Sequence, residues 1–184
     1  MIDKGEPQAQ PQQPAAQPVT NFQLASLVSK DVELVSILLK RADLESHVVR
    51  EMSATQLSLA QQFRPRYELA GDPRRLLVHM GFVLDLNAPK DPPENILHLG
   101  AEYTLTYTLP EGGAEYPAMA LDSFAELNGA LNVWPYWREL VHTVVARVGL
   151  GSITLPVFRA KARPVEPQPE AAKTPNEGEG KRGG

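Results

Sequence analysis

Glu139 and His142 stand three residues apart in "PYWRELVHTVV", with Arg138 beside them. On a helix that spacing puts the carboxylate and the imidazole on one face, where an acid–base pair can cooperate. Such a pair also needs burial and partners to tune its proton affinity, and the polar face of a surface helix supplies neither. His79 and His98 lie at similar distances from the turn between two strand-like runs, so cross-strand pairing can make them neighbours. Two imidazoles with no cysteine and no placed carboxylate leave a zinc site incomplete, and half-exposed polar strand positions are the plainer reading. Arg64, Arg66, Arg74 and Arg75 interleave with Phe63 and Tyr67 as in a nucleic-acid face, but Glu68 and Asp72 interrupt them and the formal net charge is −4. "GLG" at 149–151 follows a helical pattern instead of opening one, so it is no phosphate cradle, and no G-x-S-x-G, P-loop or H-E-x-x-H motif occurs. These residues make no catalytic centre, and no metal, nucleotide or other cofactor is expected.

The elements that must position these side chains fit one ordinary domain with tails: 184 residues, 42% hydrophobic and 22% charged. The chain has no cysteine, which excludes disulfides and thiolate chemistry and suits a reducing compartment. Neither a secretory segment nor a run of 18 apolar residues is present, so the expected location is the cytoplasm, without direct membrane insertion. Residues 1–18 are rich in Pro, Gln and Ala, and residues 161–184 in Pro, Gly and charge. Both are expected to be disordered, leaving 19–160 as the folded unit.

Within that unit four runs alternate with a period of two. The first carries Phe22, Leu24, Val28, Val32 and Leu34 on one parity and Leu27, Val35, Ile37 and Leu39 on the other; the second runs from Leu57 to Leu69. The third, "RRLLVHMGFVLDLN", and the fourth, "NILHLGAEYTLTYTL", each place an unbroken apolar set on one face. Short, proline- and glycine-containing links at 70–73 and 87–95 predict antiparallel neighbours, and the polar stretch 40–56 predicts a crossover of undefined structure. After residue 117 the spacing turns helical: one short helix through Met119, Leu121, Phe124 and Leu131, then a second through Trp134, Trp137, Val141, Val145 and Val148. Pro135 suits the first turn of that second helix and Gly149 its stop. The predicted fold is α+β, a four-stranded antiparallel sheet followed by amphipathic helix on one face.

Two short helices cover one face of such a sheet, yet the first and third runs are apolar on both faces. The surplus predicts self-association or capture of an extended apolar polypeptide. Seven acids between Asp91 and Glu126, with no Lys or Arg among them, are read as a solvated surface first and as a docking face for a basic partner second.

The order of elements resembles SecB, the protein-export chaperone. "FQLASLVSKDVEL" is similar to that family's opening strand, and "ELNGALNVWPYWRELVHTVVARVGLGSITLP" to its first helix and the loop beyond, the likeness spanning about residues 20–158. The resemblance implies an ATP-independent holdase, a homotetramer built as a dimer of dimers, that binds unfolded client polypeptides, chiefly exported preproteins, and passes them to the SecA motor. Carried over by position, the client groove falls on Leu57, Leu59, Leu97, Leu99, Ala101 and Tyr103, and the motor-facing acid on Asp31, with Glu33 next to it. Two further acids of the family align with Gly100 and Val35, and the family's C-terminal helix is not encoded, which implies a more open groove. A SecB-like chaperone serving one client, such as an antitoxin, is the alternative, and an oligomeric α+β ligand-binding protein using His79 and His98 a further one.

Overall fold

The computed structural model describes residues 18–49, 57–71, 74–111 and 115–165. Its first element is a helix, α1 (Asn21–Ser29), where the alternation of residues 22–34 predicts strand. The reason is local. Thr20 caps the helix through a reciprocal box with Gln23, and Leu24, Ala25 and Val28 fall on one helical face and are buried. Strand β1 (Glu33–Ser46) therefore begins later than expected and takes in 40–46, the start of the predicted crossover. Residues 50–56, the rest of that crossover, lie outside the described residues.

Strands β2 (Ser58–Ala70), β3 (Arg75–Ala88) and β4 (Glu94–Thr108) form an antiparallel meander, and β1 pairs antiparallel with the outer edge of β4. The order β1-β4-β3-β2 leaves β1 and β2 as the edges. Pro65 is tolerated in β2 because an edge strand has one unpaired side, and β1 carries irregularities at Val35 and Lys40, which blunt an edge. In the two central strands the predicted alternation holds: Leu76, Val78, Met80, Phe82, Leu84 and Leu86 are buried under the helices, as are the odd positions of β4 from Leu97 to Tyr107.

The helical region is one run where two helices are predicted. Helix α2 (Ala118–Phe124) passes through a wide π turn at Ala125–Gly129 directly into α3 (Ala130–Arg147). Pro135 therefore sits inside α3 and not in its first turn. Its missing N–H and its ring fall opposite the carbonyl of Leu131, whose side chain is solvent-exposed. The predicted stop holds: Gly149 has φ 83°, and its N–H and that of Leu150 close onto Ala146 and Val145, a Schellman motif that turns Leu150 into the core. Within the π turn the backbone presses onto β3. A Cβ added to Gly129 would lie 2.8 Å from Val78 Cγ1 and 2.9 Å from Met80 Sδ. Val78 is stiff, so Gly129→Val is expected to cost about 3 kcal/mol, the upper end for overpacking; an unchanged thermal midpoint would show that the close approach is not required.

Beyond α3 the chain does not become a tail at once. Residues 150–165 form an extended strap with Leu150 and Leu155 buried. The strap ends beside α1, where Asn21, itself buried, bonds through its side chain to Lys161 O (3.1 Å) and Arg163 N (3.0 Å), and Val165 N reaches Val19 O (2.9 Å). These bonds tie residues 161–165 to α1. Residues 1–17 and 166–184, the greater part of the two expected tails, lie outside the described residues.

Candidate functional site

The sheet has one covered face and one open face, and the covering is incomplete. Helix α3 lies over β3 and β4, and α2 with the turn that follows it reaches β2 and β3, while the residues of the edge strands that face the same way are only partly screened. On β1, Leu39 and Leu44 are 49% and 52% exposed although they pair in register with the buried Tyr103 and Leu99. On β2, Leu59 is 44% exposed opposite the buried Leu86, and Phe63 and Leu69 are exposed in the same row. Large apolar side chains left at the rim of a core are a mark of surfaces that receive another chain.

Two grooves result, one on each side of α3. The β1 groove is a cleft of ≈ 270 Å³ between Ile37 and Leu39 on the strand and Tyr136, Leu140 and Thr143 on the helix, with Tyr103 in its floor. Burial, aided by the nearby Glu139 carboxylate, pushes the Tyr103 phenol up to about 12, so it is a neutral hydroxyl at any physiological pH. The β2 groove lies between Phe63 and Trp134 and is filled by the strap. Phe158 packs edge-on against Phe63 (centroids 6.1 Å, 80°) and lies 5.6 Å from Trp134. The indole N–H of Trp134 donates to Pro156 O (2.8 Å), and Arg138 Nε donates to Leu155 O (2.8 Å). His142 Nδ1 lies 3.3 Å from Ile153 O. The more open groove expected from the resemblance is not found here, because the strap lies in it.

Trp134 and Trp137 are packing residues. Trp137 stacks on Phe82 (5.2 Å, 20°), which also meets Tyr103 edge-on and touches Trp134 and Phe63. Glu139 and His142 are exposed on the helix surface, and their nearest described partners belong to the strap or are absent.

The open face is polar. A hollow of ≈ 510 Å³ is floored by Gly81 and Gly100 and walled by Arg41, Asp43, Arg64 and Arg66. His79 and His98 are not neighbours: His79 is in register with Thr104 and bonds its hydroxyl (3.0 Å), whereas His98 is in register with Asp85 and bonds its carboxylate (2.7 Å). Six residues of β4 separate the two positions, about 20 Å of strand. No group of three or more His, Cys, Asp or Glu side chains suited to a metal occurs among the described residues. Arg64 and Arg66 face the hollow while Phe63 and Tyr67, of the other parity, face the helices, so the basic and aromatic residues do not share a surface. Among the described residues no helix is long and apolar enough to cross a membrane.

The residues expected to line a client groove divide. Leu59 stands exposed in the β2 row and Leu57 beside it is half-buried. Leu97, Leu99, Ala101 and Tyr103 carry the predicted parity but are buried beneath the helices, between 0% and 4% exposed. Of these, Tyr103 lines the β1 groove. Asp31 and Glu33 are exposed at the start of β1, Asp31 accepting a hydrogen bond from Tyr116 (2.9 Å). The acids between Asp91 and Glu126 do not form one face. Glu94 pairs with Lys90 in the β3–β4 turn, Glu102 lies 3.8 Å from Arg66 on the open face, and Glu126 pairs with Arg163 of the strap. The strap was not legible as a site element: it has no periodicity, and only its apolar run "ITLPVF" after a glycine stop hinted at packing.

No protein-family model matches the chain. No curated protein matches it either. Among solved structures, the fold is similar to that of the Mycobacterium tuberculosis Rv1957 SecB-like chaperone, solved in complex with a ChAD peptide from the HigA1 antitoxin. That match has a TM-score of 0.63 and 18% identity over 75% of this chain and 98% of that one. A protein of unknown function from Streptococcus agalactiae is a much looser match, with a TM-score of 0.37 and 10% identity over 68% of this chain and 97% of that one. The chain has a SecB-like fold, as the sequence predicts.

Proposed function

We propose that the protein is a nucleotide-independent holdase that keeps unfolded polypeptides soluble by burying their apolar segments in the groove along β2. The observation that carries this reading is the row of exposed apolar side chains, Leu59, Phe63 and Leu69, on a strand that forms an edge of the sheet among the described residues. An extended client gains main-chain hydrogen bonds from such an edge and apolar contact from the row beside it. Leu57 and Leu59 line this groove at one end; Leu97, Leu99, Ala101 and Tyr103 lie buried on β4, one strand further in. The β1 groove we assign to a second copy of the chain. Exposed Leu131 on α3 offers a further apolar contact for pairing two dimers, giving the homotetramer expected of a dimer of dimers.

An unfolded, slow-folding protein diluted into buffer with and without this one tests the function directly. Protection from aggregation is the expected result, and none would end the reading. Leu59→Ser with Phe63→Ser removes about 100 Å² of client contact, or ~2.5 kcal/mol, so protection is expected to need more than tenfold more protein. Undiminished protection by the folded double variant would misplace the groove.

Two client ranges are compatible with this chemistry. Service to exported preproteins requires handover to a motor such as SecA, for which Asp31 and Glu33 remain the docking residues, with salt-sensitive binding. Dedication to one client, such as an antitoxin, is favoured by the open face. Asp43 stands in register beside Gly100, where the family carries an acid, but Arg41 neutralises it at 2.8 Å, and Val35 is exposed with no charge. The solved SecB-like chaperone of similar fold holds an antitoxin peptide, which also supports this range.

A further inference from the structure

Three side chains on one face of α3 reach the main chain of the strap. Trp134, Arg138 and His142 are spaced by four residues, and their ring or guanidinium nitrogens meet the carbonyls of Pro156, Leu155 and Ile153 in the opposite chain direction. The lengths agree: eight helical residues rise about 12 Å, and three extended residues span about 10 Å. Side chains that grip carbonyl oxygens read a polypeptide without reading its sequence. The inward-facing residues of the strap are Ile153, Leu155 and Phe158, while Thr154, Pro156 and Val157 face solvent. Phe158 fills the aromatic seat between Phe63 and Trp134.

The strap is held in a way that permits release. Residues 151–162 make no main-chain to main-chain hydrogen bond among the described residues. Gly149 and Gly151, both at positive φ, form a pivot at one end. Segments with so few main-chain bonds open at a small fraction of the global stability.

Resting on the holdase reading, we propose that the strap is the built-in occupant of a carbonyl-reading site on α3. An extended apolar client segment, with large apolar or aromatic side chains at the places of Ile153, Leu155 and Phe158, binds there by replacing it. The strap is a tethered competitor at high effective concentration, so it sets a threshold that weakly apolar segments do not pass.

The absence of native cysteine permits a clean test. Thr20 and Pro164 form an antiparallel bridge, a pairing whose Cα separation of about 4.5–5.5 Å suits a disulfide. Thr20→Cys with Pro164→Cys ties down the far end of the strap when oxidised and frees it when reduced, so one protein supplies both states. The probe is a fluorescent peptide of residues 151–160, GSITLPVFRA, followed by anisotropy. The reduced protein is expected to bind it at least tenfold more tightly than the oxidised one. Equal affinity in the two states, or no binding by the reduced protein, would overturn the proposal. The unsubstituted chain judges the holdase reading separately: if it protects an aggregating protein while peptide affinity ignores the redox state, the strap inference alone falls. If it gives no protection, the holdase reading falls with it.

Discussion

Phe82→Ala is expected to cost about 3–5 kcal/mol, the range for removing a buried aromatic ring. Phe82 is 1% exposed on central strand β3 and is the one ring that meets Phe63, Tyr103, Trp134 and Trp137 together. Its loss leaves a cavity that cannot collapse, because the sheet fixes the backbone below and Trp137 is held by the helix above. At about 2–4 °C per kcal/mol for a domain of this size, the thermal midpoint falls by roughly 6–20 °C. Phe63→Ala, at the partly exposed rim of the same cluster, serves as the comparison and should cost much less. If the two substitutions shift the melting curve equally, the cluster is centred elsewhere and the two tryptophans are not organised by Phe82.

That cluster also explains which parts of the molecule were legible in the sequence. Strands β3 and β4 are central, with one face sealed and one polar, so burial imposes strict alternation and their residues display it. The same alternation misleads at the start of the chain. Leu24 and Val28 are four residues apart and share a parity, so they satisfy a strand and a helix alike. The deciding signal was the Thr20–Gln23 capping box, which lies outside the apolar pattern. Residues 40–46 show the reverse error: an edge strand with irregularities at Val35 and Lys40 has no continuous buried face, so its sequence, KRADLES, looks like a polar linker.

The functional surface was half legible for a related reason. Parity told which side chains of β4 face the apolar layer, but not whether a helix of the same chain already occupies that layer. The unbroken run through the π turn carries α3 across β3 and β4, which seals Leu97 and Leu99 and moves the accessible surface outward to the edges. The strap adds a second displacement. Its order depends on Trp134, Arg138 and His142, side chains chosen by sequence as core or polar-face residues with no hint that they hold a main chain.

On the proposed pairing of two copies through β1, Leu39→Lys with Leu44→Lys is expected to leave the protein a folded monomer. Both residues lie on β1, half exposed, in line with the buried layer of β4, and α3 screens the strand only in part, across the cleft beside Leu39. A symmetric pairing of two β1 edges would bury both rows and satisfy main-chain groups that are otherwise open to water. Two lysines per subunit place four like charges at that seam, each needing removal from water without a partner, and one uncompensated buried charge alone costs several kcal/mol. Dissociation is thus expected at all micromolar concentrations, read by sedimentation or light scattering, with an unchanged circular dichroism spectrum. The β2 groove is on the opposite edge, so each monomer should keep its intrinsic affinity for a client peptide but lose the avidity that several linked grooves provide, often 10²–10⁴-fold. A double variant that stays fully assembled would remove β1 from the interface, and one that loses single-peptide binding along with assembly would show that the client site spans two subunits.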